Sequence, residues 1–278
     1  MPYVNLGGTS TNVVPGDHYS NYSEFLRVGG RGLGTALTYS DAINQQIAHA
    51  IQHHAADIPR QELFITTKVP CCLPKLSNPY CFVPEYNGTI AQDLAKNNAL
   101  LNITYTDITL LHHPCLDDED TIKQYVQLQE AMAQGHTKAI GVSNFPKTLL
   151  AKMLNDARIS IVPAVNQCNH AIGNHNSTHQ PHQGGDDATV SFCQQHSIVY
   201  SAYSPLEGLS GQDIFKLPLV IDIAKIHHVS PAQIALKWLI QQNISVVTAA
   251  HTNKYIAEDI DLFGFELSLK EMEMLREI

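Results

Sequence analysis

The segment Leu63–Val69, which reads LFITTKV, is a short run rich in β-branched and aromatic residues, and such composition is typical of a β-strand. Several comparable runs elsewhere in the chain are continuously apolar instead of alternating with polar residues. That pattern indicates strands buried on both faces of a parallel sheet. The seven further predicted strands are Tyr3–Leu6, Leu33–Ala36, Asp107–Leu111, Ala139–Val142, Val162–Asn166, Ile198–Ala202 and Ser245–Thr248.

Helical patterns lie between these predicted strands. The segment Asp41–His54 places Ile43, Ile47, Ala50 and Ile51 on one apolar stripe. A second helix is predicted at Ala232–Gln242, with Ser230 as its N-cap and Pro231 at its first position. The remaining predicted helices are Ile90–Leu101, Thr121–Gln134, Thr148–Asp156, Thr189–His196, Lys254–Asp261 and Leu269–Ile278.

Eight β-then-α units in 278 residues predict an α/β fold, a closed (β/α)8 TIM barrel. We expect a single barrel domain over residues 1–278, with long rim loops at about 70–88 and 169–187. The alternative is an open, doubly wound sheet, which favours a glycine-rich turn after the first strand. The segment Leu6–Thr9 has two glycines without the spacing of that turn.

Composition and charge exclude several classes of function. The chain has 17 Lys and Arg against 26 Asp and Glu, a formal net charge of -9, so nucleic-acid binding is not expected. No apolar run approaches the roughly 18 residues of a membrane span. The N-terminal segment Met1–Asn5 lacks a signal-peptide pattern, so we expect a cytoplasmic protein with six reduced cysteines and a small-molecule substrate.

Seven segments resemble the aldo-keto reductase superfamily, in the same order and over nearly the whole chain. They are Arg31–Tyr39, Phe64–Lys68, Leu110–Pro114, Gly141–Phe145, Val165–Gln167, Ala202–Leu206 and Ser230–Trp238. The resemblance implies reduction of an aldehyde or ketone with hydride from NADPH or NADH.

The resemblance also implies three catalytic roles. Tyr39 is the expected general acid, Lys68 its partner, and His112 the residue that orients the carbonyl group. Each follows or ends a predicted strand, where the sites of barrel enzymes are built. An ammonium beside a phenol stabilises the phenolate and so assists proton transfer.

The position of the family's catalytic aspartate is occupied by Gly34, which has no side chain to pair with Lys68. Loss of a buried charge partner costs on the order of 1–3 kcal/mol, or about ten- to a hundredfold in rate. Another carboxylate would have to compensate, and Asp41 is close in sequence.

The cofactor site is matched on one side only. Four residues match those that hold the nicotinamide in the family, and two more match positions near the pyrophosphate. The six are Ser143, Asn144, Gln167, Tyr203, Ser204 and Leu206.

The residues that grip the 2′-phosphate and adenine in the family differ in this chain. Tyr255 stands in place of an arginine and is followed by Glu258 and Asp259, so cations are lost and a negative charge is gained. We expect NADP(H) or NAD(H) as cofactor, with weak binding or a shift toward NADH. Tyr255 offers a ring for stacking on adenine.

The substrate pocket is expected to be open and more polar than in the family. His113 stands where the family often has a tryptophan, and the loop after the third strand offers Tyr80, Phe82 and Tyr86. A second loop carries His170, His175, His179 and His182. His175 and His179 are four residues apart and would share a face of a helix, where they could bind a metal, but Pro and Gly residues argue against a helix here. A flexible polar rim loop without metal is therefore predicted.

Two other functions remain open at the sequence level. One is a barrel that has lost hydride transfer and performs cofactor-free acid/base chemistry, such as a dehydration, a cyclisation or an isomerisation. The other is a non-catalytic ligand-binding protein. Both are favoured by Gly34 and by the altered phosphate side of the cofactor site.

Overall fold

The computed structural model describes residues 1–8, 18–71, 89–175, 184–206, 213–250 and 252–278. Eight parallel strands follow one another around a closed barrel, and β8 pairs with β1 through Val4 and Val246. The predicted (β/α)8 barrel is therefore confirmed. The strands are β1 Val4–Gly7, β2 Gly32–Gly34, β3 Phe64–Val69, β4 Ile108–Leu111, β5 Ile140–Ser143, β6 Val165–Asn169, β7 Val199–Tyr203 and β8 Ser245–Thr248.

The sixth strand begins later than predicted, at Val165 instead of Val162. Pro163 lies between the two positions and has no N–H to donate to a ladder. Val162 is also half exposed, which places it outside the barrel. The shift puts Gln167 in the interior of β6, where it is buried.

The helices lie outside the barrel and fill the connections between strands. Two of them, α1 and α7, were not predicted: α1 has few aliphatic residues, although it buries Tyr22, Phe25 and Leu26 on one face, and α7 is apolar on several sides. The helices are α1 His18–Arg27, α2 Asp41–His53, α3 Ile90–Leu100, α4 Asp118–Ala133, α5 Lys147–Leu154, α6 Asp187–Gln195, α7 Pro218–His227, α8 Pro231–Ile240, α9 Asn253–Ile260 and α10 Leu269–Arg276.

Helix α8 forms where its start signal predicts. The Ser230 side chain accepts a hydrogen bond from the backbone N–H of Gln233, and the Gln233 side chain accepts one from the N–H of Ser230. The predicted apolar face is completely buried, with Trp238 at its centre. None of the helices in the described ranges has the length and apolar character needed to cross a bilayer.

A disulfide joins Cys71, just beyond β3, to Cys115, just beyond β4, with a Cα–Cα distance of 5.4 Å. The prediction of six reduced cysteines is therefore wrong for these two. Strands β3 and β4 are neighbours in the barrel, with Val69 paired to Leu111, so the residues that follow them meet at one rim. Cys168 and Cys193 are buried free thiols, and Cys72 and Cys81 lie outside the described residues.

We expect Cys115→Ser to lower the free energy of unfolding by about 2–4 kcal/mol, because the bridge closes a loop between residues 44 positions apart. Urea unfolding of oxidised protein measures the difference. Reducing agent should bring the wild-type protein to the level of the variant and leave the variant unchanged. Equal stability of the two proteins without reducing agent would show that the bridge contributes nothing.

Candidate active site

The three predicted catalytic side chains lie at the carboxyl ends of neighbouring strands. Lys68 is in β3, where it pairs with Leu110 of β4. His112 follows β4 directly, and its backbone N–H donates to the carbonyl of Val69 over 2.8 Å. Tyr39 lies in the turn between β2 and α2. Parallel strand ends meet at one rim of the barrel, so this topology places the three residues together.

The distances confirm that these side chains form one group. The Nζ atom of Lys68 lies 5.3 Å from the ring centroid of Tyr39. The rings of Tyr39 and His112 are 6.1 Å apart, edge to face. A phenol, an amine and an imidazole therefore share one edge of the barrel.

Lys68 has no acidic partner among the residues that the structure describes. Its side chain is buried, and Nζ donates to the backbone carbonyl of Thr35 over 3.1 Å. Within the described residues it forms no ion pair with a carboxylate. Asp41 is exposed at the start of α2 and does not compensate for the missing aspartate.

Gly34 lies at the end of β2, in register with Gly7 of β1 and Thr66 of β3. A Cβ atom added there would lie 3.6 Å from the Cα of Gly7 and 3.7 Å from Cγ1 of Val247. Both are ordinary van der Waals distances, so the backbone accommodates a side chain at this position. The absence of a carboxylate is a property of the sequence and not of crowding.

The two imidazoles beyond β4 are held as a pair. His112 and His113 stack with ring centroids 4.6 Å apart, and Nδ1 of His112 lies 3.3 Å from the Thr38 hydroxyl. Burial lowers the pKa of His112 well below its usual value, and the charge of Lys68 acts in the same direction. Burial, followed by Lys68, lowers the pKa of His113 to about 4. Both rings are neutral near pH 7.

Asn144 connects the carbonyl side of the site to the predicted nicotinamide side. Its Nδ2 atom lies 2.9 Å from the carbonyl oxygen of His112 and 3.1 Å from Nδ1 of His113. Its Oδ1 atom accepts a hydrogen bond of 2.9 Å from the hydroxyl of Tyr203. A backbone φ of 65° at Asn144, which asparagine tolerates, turns its side chain toward this network.

Ser143 and Gln167 extend the same polar group in the barrel interior. The hydroxyl of Ser143 donates to the backbone carbonyl of Gln167 over 2.7 Å, and Gln167 Nε2 donates to the Ser201 hydroxyl over 3.4 Å. All three residues are buried. Buried amide and hydroxyl groups of this kind are suited to the carboxamide of a nicotinamide, so the residues present fit that half of the cofactor.

The residues that match pyrophosphate positions lie beyond β7. Ser204 has a positive φ of 50° and Leu206 packs against the core. They follow Tyr203, the residue that bonds Asn144, so they continue the same rim.

The predicted adenine side of the site lies on α9, which follows β8. Tyr255 is 54% exposed and available for stacking. Glu258 forms an ion pair of 3.6 Å with Lys254. Asp259 is buried, and burial raises its pKa to about 6. The one lysine on this helix is therefore engaged with a carboxylate, which supports the expectation of a weak 2′-phosphate site.

Three pocket residues predicted from the sequence, Tyr80, Phe82 and Tyr86, lie outside the described residues. His179 and His182 of the histidine-rich loop do so as well. His113 is described, and it lies beside His112 and Asn144 as a polar wall of the site.

The first two histidines of that loop are buried, so the prediction of a flexible polar rim loop is wrong for them. His170 stacks on Trp238 with ring centroids 6.1 Å apart, and Nδ1 of His175 lies 3.2 Å from a carboxylate oxygen of Asp187. Both are nearly inaccessible to solvent. Across the described parts of the chain, no group of three or more potential ligands is arranged for a metal ion.

We expect acid to destabilise the protein through His170, whose pKa is lowered to about 4 by burial and by His175. The unfolded chain binds this proton near its usual value of about 6.5, so stability falls as pH drops from there toward 4. Between about pH 7.5 and about pH 5, the free energy of unfolding should fall by about 2 kcal/mol less in His170→Phe than in the wild-type protein. Urea unfolding at both pH values tests this, and identical losses would contradict it.

Three contacts in the site were not predicted. Thr38 contacts His112 and the carbonyl of Thr35 accepts from Lys68, and both residues lie within the segment Arg31–Tyr39. Tyr22 lies on the unpredicted helix α1 and is buried; burial raises the pKa of Tyr22, and the nearby Tyr39 acts in the same direction. The sequence carries no signal for Tyr22, because its role depends on how α1 packs.

A closed (β/α)8 barrel with a tyrosine, a lysine and a histidine grouped at its carboxyl-terminal rim defines a class of oxidoreductase. The profile of the Aldo/keto reductase family matches residues 4–278, and the chain belongs to this family.

Individual relatives agree with this assignment. The chain is 30% identical to an aldo-keto reductase of Mycobacterium avium (strain 104), over 99% of its own length and 85% of the relative's. It is 29% identical to aldo-keto reductase family 1 member C13 of Mus musculus, over 90% of this chain and 79% of the relative's length. The crystal structure of MGS-M4, an aldo-keto reductase from a deep-sea metagenome library, superposes with a TM-score of 0.82 at 26% identity, covering 100% of this chain and 91% of that one. Carbonyl reduction is the general activity that these relatives support.

Proposed function

We propose that this protein reduces a small aldehyde or ketone with hydride from NADPH or NADH. The observation that carries the proposal is the junction at Asn144. This residue bonds the backbone of His112 on the carbonyl side and the hydroxyl of Tyr203 on the nicotinamide side. A carbonyl group held beside His112 would therefore lie next to the residues that match the family's nicotinamide site.

The residues of this chain bind and protonate the substrate. The neutral imidazole of His112 carries one N–H, which orients the carbonyl oxygen and stabilises the negative charge that develops on it. The phenol of Tyr39 donates the proton that converts this oxygen to a hydroxyl group. A reduced nicotinamide, when bound, supplies the hydride for the carbonyl carbon.

The residues that match the family's nicotinamide site would position the cofactor. Ser143, Asn144 and Gln167 would hold the carboxamide through their buried hydroxyl and amide groups, and Tyr203 would flank the ring. Lys68 lies close to the Tyr39 ring and, in its protonated form, acts on the phenol through its charge. The two predicted halves of the site are thus formed by side chains from the turn after β2 through β7.

The direct test of this proposal is the oxidation of NADPH and of NADH in the presence of a panel of aldehydes, ketones and quinones. Carbonyl-dependent oxidation of either dinucleotide is the expected result. No turnover, together with no dinucleotide binding by calorimetry, would remove the proposal and leave cofactor-free acid/base chemistry at Tyr39 and His112. The missing partner of Lys68 is the observation that favours that second function.

We expect NADPH to bind with a dissociation constant above about 1 μM, because the described 2′-phosphate side has no unpaired cation on α9. Tyr255→Arg should strengthen NADPH binding about tenfold relative to NADH binding, since the added guanidinium meets the 2′-phosphate that only NADPH carries. Tyr255 is exposed, so the replacement does not disturb the core. Calorimetric titration measures both constants. Sub-micromolar binding of NADPH by the wild-type protein would contradict the expectation.

The remaining expectations from the sequence are retained as proposals. We propose a cytoplasmic location, a single domain, and a partner set that includes a small-molecule substrate and excludes nucleic acid and membranes. The net charge of -9 supports the absence of nucleic acid from that set.

A further inference from the structure

The amine of Lys68 is a buried nucleophilic group whose polar contacts are few. Its side chain is 5% exposed, and its Nζ atom has one hydrogen-bond acceptor, the carbonyl of Thr35 at 3.1 Å. The other groups that face it are the ring of Tyr39 and the neutral imidazoles of His112 and His113. Among the described residues no carboxylate offsets its charge.

Such an environment suits an amine that attacks a carbonyl carbon. A buried ammonium without a counter-charge is costly, and an amine needs its lone pair to act as a nucleophile. Lysines in apolar or electrostatically unpaired sites are the ones that form Schiff bases in enzymes. Gly34 supplies no carboxylate. No ion pair among the described residues therefore stabilises the ammonium form of Lys68, which has no lone pair for attack.

We propose that Lys68 forms a reversible imine with a small aldehyde or unhindered ketone that enters this site, an activity separate from reduction. The inference rests on the proposed function only for the presence of a carbonyl compound in the pocket. Tyr39, His112 and Nζ of Lys68 lie together at one rim of the barrel. A carbonyl group held by Tyr39 and His112 would therefore also lie near the amine of Lys68.

The chemical step is balanced without an oxidant or a reductant. The Nζ atom bonds to the carbonyl carbon, and the electron pair of the C=O double bond moves to oxygen. The two amine protons then leave with that oxygen as water, while the Nζ–carbon double bond forms. Tyr39 carries the protons from nitrogen to oxygen, because its phenol is adjacent to the amine.

Reductive trapping tests the proposal. Full-length protein is incubated with propionaldehyde and sodium cyanoborohydride, without added dinucleotide, and the sites of propylation are mapped by peptide mass spectrometry. Lys270 is exposed and serves as the internal reference. We expect Lys68 to be labelled faster than Lys270 despite its burial.

Two variants of Gly34 form a matched pair for this experiment. Gly34→Asp introduces a carboxylate next to Thr35, whose carbonyl accepts the hydrogen bond of Lys68, and is expected to slow labelling of Lys68 at least about tenfold. Gly34→Asn adds an equal volume without charge and should retain labelling. Circular dichroism checks that both variants fold. Labelling of Lys68 no faster than that of Lys270, or equal labelling in the two variants, would overturn the proposal.

Reduction is assayed in parallel on the same preparations, so the two proposals fail separately. Turnover with dinucleotide but no label on Lys68 removes the imine and leaves the reductase. Rapid labelling of Lys68 without turnover supports the imine and removes the reductase.

Discussion

Replacing Gly34 by Asp is expected to raise kcat/KM for carbonyl reduction about ten- to a hundredfold. The new carboxylate would pair with Lys68, whose Nζ now has only the Thr35 carbonyl as acceptor, and would stabilise the ammonium beside Tyr39. One restored charge partner corresponds to about 1–3 kcal/mol, which gives this range of rates. The backbone has room for the substitution, because a Cβ at residue 34 meets its neighbours at 3.6 Å or more.

Steady-state kinetics with the best carbonyl substrate from the panel measures the gain. Gly34→Asn is the control, since it has the same size as Gly34→Asp and no charge. An increase in kcat/KM that is confined to Gly34→Asp shows that the wild-type protein is a reductase limited by the missing partner. Equal values for Gly34→Asp and Gly34→Asn would mean that the charge of Lys68 is not part of the reaction.

Tyr39→Phe is expected to lower kcat/KM at least about a hundredfold, because removal of a general acid typically costs a factor of 10²–10⁴. The phenylalanine ring keeps the edge-to-face contact with His112 and the position above Lys68, so only the proton donor is lost. The binding constant of the dinucleotide should stay unchanged, since the nicotinamide side is built from other strands.

Tyr3→Phe is the matched control for this loss. Tyr3 precedes β1 at the opposite end of the strands, and its hydroxyl bonds Asn243 over 2.8 Å. The Tyr3→Phe substitution also removes a phenol hydroxyl, but far from the site. This variant should therefore retain wild-type kinetics. If Tyr39→Phe also retains them, Tyr39 is not the proton donor.

The barrel was predictable from local pattern and one topological rule, and the grouping of the site was predictable from the resemblance to the family together with that rule. Strand runs such as Leu63–Val69 are short, buried and separated by helices, which leaves few alternatives to a parallel barrel. In such a barrel, residues at strand ends converge at one rim. This is why Tyr39, Lys68 and His112 were expected together and are found together.

Features that depend on packing between distant segments were not predictable in this way. The Cys71–Cys115 bridge needs the register of β3 against β4, which the spacing of the cysteines does not reveal. The burial of His170 depends on Trp238 of α8, which is remote in sequence. A polar composition therefore predicted an exposed loop where the fold makes two buried imidazoles.

The bonds of Asn144 show the same limit inside the active site. Its place in the cofactor motif was expected, but its contact with His113 arises because a histidine stands where the family often has a tryptophan. The side chain of Asn144 donates toward Nδ1 of His113, which leaves the ring proton of that neutral imidazole on Nε2. A residue expected only to change the pocket wall thus also contacts Asn144.

The most direct test of the central claim is hydride transfer itself. The protein is incubated with reduced dinucleotide that carries deuterium at the transferable position, together with an aldehyde, and the alcohol is analysed by mass spectrometry. We predict an alcohol with one deuterium on the carbon that was the carbonyl carbon, formed by the wild-type protein and faster by Gly34→Asp. Recovery of unreduced aldehyde, or of a product without deuterium, would contradict the assignment of carbonyl reduction to this site.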